Sequence, residues 1–421
     1  MNKQIKELII NAGYMYAVQG LNYLLPLLTL PYLIKTLSVE SFGIYSFAFA
    51  FSQFVMLFVD FGFNISATKK IAENYTNIGL IRTTFWNISI IKFSLALLSF
   101  FIVLLLVLIV PTLHFYAEAI LYSFLMVFGT VLFPVWWFQG LNKMKEMSII
   151  SAISKLLTYP LIFIFVTSNT DHNAAIVIQT LSFPLAGIFA LIFIAKTQSH
   201  YYTSIKLRQP LKIYYSELKE AFPIFLSNSS ISLYTNSITL FLGFFSTNYN
   251  VGLFGAMERI VRTICFGILG PLNQVCFPVI TRLKKDDFIS AKRLFKWVSI
   301  GTFGLMSLAY LTYYFAQRFI IERFFTNYDG IEGLLSIFML MIFPIALGGV
   351  IGQLGLLALG GEEEKKNFSK IYIWTGSLSI PFTLILIWLY EIKGAIFAMF
   401  SVEIVIFLLF LSAAHKIKIL K

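Results

Sequence analysis

A succession of long apolar runs constrains the fold of this chain more than any other feature. The runs are each about 18–25 residues long, which is the length that an α-helix needs to cross a hydrocarbon core of about 30 Å. Only 12% of the residues are charged, whereas soluble domains carry about a quarter. The sequence therefore predicts an all-α membrane protein whose chain crosses the bilayer many times.

The apolar runs predict twelve transmembrane helices. Their approximate bounds are residues 9–34, 41–63, 84–110, 117–138, 147–168, 173–195, 221–246, 251–278, 295–317, 334–359, 371–390 and 394–414. The first run is too long for a cleavable signal peptide and lacks a small-residue cleavage site, so we expect it to remain as a helix.

Basic residues in the loops alternate between the two predicted sides of the membrane. Of the 32 Lys and Arg residues, four lie inside spans, and only Lys35, Arg318, Arg323 and Lys393 fall in loops on one side. All the others fall on the opposite side. The positive-inside rule places that basic side, with both termini, in the cytoplasm. The net charge of +12 is thus a topology signal, and we expect no nucleic-acid partner.

The longest predicted cytoplasmic loop, about residues 196–220, separates the first six spans from the last six. We therefore predict an N-terminal six-helix bundle over residues 1–200, a cytoplasmic linker loop over 201–220 and a C-terminal six-helix bundle over 221–421.

Two short matches suggest that the halves are repeats. Phe42-Gly43 recurs as Val251-Gly252, and Phe133-Pro134 recurs as Phe343-Pro344, at offsets of about 209–210 residues. An even number of helices in each half gives both halves the same orientation, as in transporters built from parallel repeats.

The segment Gly255–Pro278 is apolar enough to span a bilayer but contains Glu258, Arg259 and Arg262. A charged side chain at this depth costs about 2.5–3.5 kcal/mol on insertion scales. Glu258 and Arg262 are four residues apart on one helix face, with Arg259 beside them, so we expect one ion pair and one remaining positive charge. Two interpretations stay open: an ion pair that joins helices, or a cationic patch that lines a cavity for an anionic substrate. We favour the patch.

Other polar residues also fall within spans. Lys92 and Lys155 either extend to the interface or add to the cationic cavity, and Asp60 either pairs near the interface or, like Glu258, couples transport to an ion. Glu403 also lies within a span, but the pattern assigns it no role. Side-chain amides either join helices or line a polar cavity; those expected to line the cavity are Asn11, Gln19, Asn22, Asn228, Asn236 and Gln53.

Signatures of enzymes are absent from the sequence. It contains no Gly-rich phosphate loop, nucleophile elbow or paired catalytic carboxylates. The four histidines fall at loops or span ends without metal-ligand spacing. We therefore expect neither catalysis nor a metal or organic cofactor.

Four stretches resemble a known family. Pro31–Phe47, Val59–Ala72, Phe133–Ile149 and Val251–Leu283 resemble segments of the Wzx-type flippases of bacterial O-antigen and related surface polysaccharides. These flippases form the polysaccharide-transporter branch of the MATE-like superfamily of multidrug, oligosaccharidyl-lipid and polysaccharide exporters. The resemblance covers almost the whole chain.

The resemblance implies an inverted-V transporter in the bacterial inner membrane. Its substrate would be an undecaprenyl-diphosphate-linked oligosaccharide, carried from the cytoplasmic to the periplasmic leaflet by alternating access. Arg259 and Arg262 would bind the diphosphate, with help from Lys92 and Lys155. Partners would be this substrate, membrane lipids and other polysaccharide assembly proteins, and coupling to Na⁺ or H⁺ stays open. Two alternatives remain: a MATE-like ion-coupled exporter of small molecules, and a non-catalytic membrane subunit of a polysaccharide assembly complex.

Overall fold

The computed structural model describes residues 25–26, 28–197, 210–326, 328 and 330–416, and all regular secondary structure in these residues is helical. Nine helices within them are long and apolar enough to cross a membrane by length and composition. The protein is therefore an all-α, multi-pass membrane protein. Most of the predicted first span lies outside the described residues.

The chain divides into two compact units. The first unit comprises Met1–Leu37 and Ile44–Ser229, and the second comprises Ser38–Gly43 and Ser230–Lys421. Residues 211–220 of the predicted linker are helical, and residues 201–209 of that linker lie outside the described part of the chain. The two six-helix bundles and their linker therefore stay a prediction.

Residues 28–36 are helical. The helices from there up to residue 197 are, in order, α1 Val39–Asp60, α2 Phe63–Glu73, α3 Ile78–Ile109, α4 Pro111–Phe115, α5 Ala117–Leu132, α6 Val135–Gly140, α7 Met144–Thr158, α8 Pro160–Phe165 and α9 His172–Thr197. Prolines explain several of the breaks, because proline lacks the N–H that continues a helix. Pro111 and Pro160 begin α4 and α8, and Pro134 precedes α6.

The helices from residue 211 onward are α10 Leu211–Phe245, α11 Asn248–Asp286, α12 Phe288–Phe324, α13 Ile331–Met339, α14 Ile342–Val350, the π-helix α15 Ile351–Leu359 and α16 Glu362–Lys416. The range of α16 contains two helices that meet at Glu391, where the backbone is non-helical with φ 47° and ψ −123°. Asp287 ends the long α11 and caps α12, since its side chain accepts hydrogen bonds from Ile289 N and Ser290 N, both at 3.0 Å. Such side-chain caps satisfy N–H groups that have no partner within the helix.

The core of the first unit is aromatic. Trp136, Trp137 and Phe138 on the short α6 are almost completely buried, and Phe63 and Ile71 on α2 belong to the same core cluster. Each buried aromatic side chain removes a large apolar area from the surface of the unit. The packing of this cluster therefore holds α6 against α2.

Two glycines bring the starts of α1 and α11 together in the second unit. A Cβ atom on Gly43 would lie 2.1 Å from the Asn248 carbonyl oxygen, and one on Gly252 would lie 2.0 Å from the Val39 carbonyl oxygen. Only glycine permits such a close backbone approach. Gly43 and Gly252 are 209 positions apart, and so are their partners Val39 and Asn248, which is the offset of the proposed repeat. The crossing also places Phe42 against the charged part of α11.

Candidate functional site

The charged residues of α11 form the ion pair that their spacing predicts. Arg262 Nε donates to Glu258 Oε1 at 2.8 Å, and Arg262 Nη2 donates to the Thr235 carbonyl oxygen at 3.3 Å. The side chains of Arg262 and Glu258 are only 21% and 13% exposed. The predicted pairing at positions i and i+4 is confirmed.

The neighbouring helix α10 supplies the other partner of Glu258. Thr239 Oγ1 donates to Glu258 Oε2 at 3.2 Å, so both carboxylate oxygens accept a hydrogen bond. Thr235 and Thr239 are four residues apart and therefore lie on one face of α10. That face holds the ion pair in a defined orientation.

Arg259 has a different environment from Arg262. Its guanidinium carbon lies 5.6 Å from the centre of the Phe42 ring, which is within the range of a cation–π interaction. Phe42 is fully buried beside Gly43, where α1 crosses α11. Arg259 thus packs on an aromatic ring, whereas Arg262 pairs with a carboxylate.

The structure adds Glu403, to which the sequence pattern assigned no role. Glu403 lies in the second half of α16, is 7% exposed, and interacts electrostatically with Arg262 and Glu258. We refer to Glu258, Arg259, Arg262 and Glu403 as the buried charge cluster. Its two formal positive charges are matched by two carboxylates, whereas Glu258, Arg259 and Arg262 without Glu403 carry one excess positive charge. An isolated acid in an apolar span was the sequence signal for Glu403.

Lys92 and Asp60 form a second ion pair, in the first unit. Lys92 Nζ lies 3.0 Å from Asp60 Oδ1, and the Lys92 side chain is 3% exposed. Asp60 is the last residue of α1 and precedes the positive φ angles of Phe61 and Gly62, 45° and 82°. Lys92 is therefore buried in a pair rather than extended to the interface, and its ion pair ties α3 to the break between α1 and α2.

Lys155 lies half-buried on α7, also in the first unit. It forms no ion pair with an acidic side chain of the described residues. Its role toward a substrate stays a prediction.

Only some of the amides predicted to line a cavity can be placed. Asn11, Gln19 and Asn22 lie outside the described residues, and so does the side chain of Asn228. Asn236 is half-buried on α10, one residue after Thr235, and Gln53 is exposed on α1. The cavity lining therefore stays a prediction.

The sequence matches known proteins over its whole length. The profile of the polysaccharide biosynthesis protein family matches residues 8–284. A protein of Escherichia coli K12 that is provisionally described as an O-antigen transporter is 33% identical over 429 residues, which is 100% of both chains. One of Shigella dysenteriae with the same description is 29% identical, over 96% of this chain and 99% of its own.

Solved structures of low sequence identity share the fold. An inward-facing MATE multidrug-resistance transporter has a TM-score of 0.71 at 12% identity and is covered over 94% of each chain. The lipid II flippase MurJ has a TM-score of 0.65 at 15% identity, over 97% of this chain and 87% of its own. The fold is therefore MATE-like.

The family profile covers well over half of the chain, and the full-length relatives are described as transporters rather than enzymes. The chain thus belongs to the polysaccharide biosynthesis protein family.

Proposed function

We propose that this protein is a flippase of the bacterial inner membrane that moves an undecaprenyl-diphosphate-linked oligosaccharide from the cytoplasmic to the periplasmic leaflet. The cargo is the repeat unit of an O-antigen or a related surface polysaccharide. Full-length relatives described as O-antigen transporters support this proposal, as does a MATE-like fold shared with a lipid flippase. Twelve spans with both termini in the cytoplasm suit alternating access between the two leaflets.

The observation that carries the proposal is the pair of arginines inside the apolar helix α11. Ionised side chains at membrane depth are rare and mark substrate or ion pathways. A guanidinium has five N–H donors in a fixed fork, so Arg262 can hold Glu258 and bind a phosphate oxygen at once. Arginine also binds phosphate with bidentate geometry, which suits a diphosphate.

Glu258 acts in this proposal by orienting Arg262. Its two oxygens are held by Arg262 and Thr239, so its geometry is that of a positioning group. The pairing of Asp60 with Lys92 likewise favours a structural role for Asp60 over ion coupling. Coupling to Na⁺ or H⁺ remains part of the proposal without an assigned site.

One observation favours a second candidate function, a MATE-like ion-coupled exporter of small organic cations. Glu403 and Glu258 place two carboxylates in the buried charge cluster, and a cationic substrate needs buried acids. In that case the two carboxylates would bind the cationic substrate, and the arginines would only balance their negative charge.

Restoration of surface polysaccharide in a complementation assay distinguishes the flippase from the exporter. A strain that lacks its own O-antigen flippase, but keeps the enzymes for a cognate glycan, receives the wild type, Arg259→Ala, Arg262→Ala or the control Arg282→Ala. Arg282 is exposed near the other end of α11. We expect surface glycan with the wild type and the control, and its loss with Arg259→Ala and Arg262→Ala at equal membrane expression. Normal surface glycan in both cluster variants would exclude the cationic site, and failure of the wild type would favour the exporter.

A further inference from the structure

An apolar groove lies on the second unit, between α13 and the two halves of α16. Leu334 and Ile337 form one wall, and Leu386, Ile396 and Phe397 belong to the others. Its volume is about 450 Å³, which is within the range of small-molecule sites. Because the lining is almost entirely apolar, the groove offers few hydrogen-bond partners to a peptide or a sugar.

The single charged residue of the groove is Lys393, next to Tyr390 at the turn between the two halves of α16. Lys393 is exposed and forms no ion pair with the acidic side chains that the structure describes. The neighbouring acid, Glu391, is already engaged. Its Oε2 atom accepts hydrogen bonds from Asn250 Nδ2 at 2.6 Å and from Ser246 Oγ at 3.2 Å.

The backbone of this turn is held in an unusual geometry. Glu391 has a φ of 47°, a conformation that costs energy for a residue with a side chain and persists only where surrounding contacts enforce it. The hydrogen bonds from Ser246 and Asn250 are such contacts. A Cβ atom on Gly394 would lie 1.9 Å from the Leu386 carbonyl oxygen, so the two halves of α16 meet closely there. This geometry fixes the backbone on both sides of Lys393, which lines the groove.

We propose that the groove is a binding site for an anionic phospholipid. One acyl chain fills the groove, where a chain without hydrogen-bonding groups loses nothing by burial, and Lys393 binds the anionic headgroup. A free lysine at the membrane surface attracts negatively charged lipids, and tyrosine is a common side chain at the level of the headgroups. Lys393 is one of the few basic residues on the predicted periplasmic side, so the bound lipid comes from that leaflet. This inference does not depend on the proposed cargo.

Retention of lipids by the purified full-length protein tests the site. The protein is exchanged into equal amounts of phosphatidylglycerol and phosphatidylcholine, washed with detergent, and analysed by native mass spectrometry. We expect about fivefold enrichment of phosphatidylglycerol, the order that one lysine near the headgroups supplies. Lys393→Gln should abolish the enrichment, whereas the control Lys35→Gln, another exposed lysine of the predicted outer side, should preserve it.

A second variant tests the groove separately from the charge. Ile337 is 51% exposed in the groove wall, so Ile337→Trp should fill the space without disturbing the fold and lower the retention of phosphatidylglycerol. Equal retention of the two lipids by the wild type would overturn the proposal. So would equal loss of enrichment in Lys393→Gln and Lys35→Gln, or undiminished retention in Ile337→Trp.

Discussion

Removing the carboxylate of Glu258 should destabilise the second unit, and the size of the effect can be worked from its contacts. Glu258→Gln removes the ionic partner of Arg262 but keeps an amide of similar shape beside Thr239. Breaking a fully buried pair costs about 3–5 kcal/mol, and a hydrogen bond to a charged group contributes about 1.5–3 kcal/mol. Because the two side chains keep 21% and 13% exposure, we expect a loss of about 2 kcal/mol in the free energy of unfolding.

Glu403 makes this prediction more specific. With Glu258 neutral, Arg262 still interacts with the buried carboxylate of Glu403. The loss in Glu258→Gln should therefore be partly compensated, and so should the loss in Glu403→Gln. In the double variant Arg262 has neither carboxylate, so the loss should exceed the sum of the single losses by about 1 kcal/mol or more, the size of coupling between residues in one network.

Equilibrium unfolding in mixed detergent micelles measures these free energies for the wild type, the two single variants and the double variant. Glu258→Lys is an informative companion, because it adds a positive charge beside two arginines and should be tolerated less well than Glu258→Gln. Strict additivity of Glu258→Gln and Glu403→Gln would refute the shared interaction with Arg262. Equal loss of transport in Glu258→Gln and Glu258→Lys, with folding intact, would instead indicate that Glu258 couples transport to an ion.

Two further predictions follow from single contacts, and a third follows from the distribution of basic residues among the loops. Gly252→Ala places a Cβ atom 2.0 Å from a carbonyl oxygen and should lower stability by about 1–3 kcal/mol, whereas Gly301→Ala, with no atom within 4 Å of the new Cβ, should not; equal thermal stability of the two variants would contradict the crossing. Asp60→Asn should destabilise the protein more than Asp60→Asn combined with Lys92→Met, because the single change leaves a buried ammonium without its anion. Thermal unfolding of both variants gives the order of their stabilities. The reverse order would show that the ion pair is not the main contribution of these two residues to stability. A single cysteine at Asn169, in a background without native cysteines, should react with an impermeant maleimide in whole cells and not in inverted vesicles; the opposite pattern would reverse the predicted orientation.

Local patterns in the sequence predicted the local features of the structure. The length and apolarity of the runs predicted helices that can cross a membrane, and the four-residue spacing predicted the pair of Glu258 with Arg262. Both depend on residues that are close along the chain. The glycines at positions 43 and 252 were visible as a repeat, but their close contacts with backbone oxygens became apparent only in three dimensions.

Contacts between separate spans could not be predicted in the same way. Glu403 reaches the charge cluster because α16 packs near α11, and no spacing along the chain encodes that packing. Lys92 could equally have extended to the interface; its pairing with Asp60, 32 residues away, depends on how α3 packs beside the end of α1. The balance of charge in the cluster therefore required the structure.

Translocation of the lipid-linked oligosaccharide by the purified protein tests the central claim most directly. Proteoliposomes containing the wild type, Arg262→Ala or Arg282→Ala are loaded with an undecaprenyl-diphosphate-linked glycan, and its exposure on the opposite leaflet is followed with an impermeant glycan-modifying enzyme. We predict exposure over time with the wild type and Arg282→Ala, and background exposure with Arg262→Ala at equal protein incorporation. If Arg262→Ala exposed the glycan as fast as the wild type does, the proposed role of Arg262 would be contradicted. If the wild type gave no exposure above background, the proposed flippase activity would be contradicted.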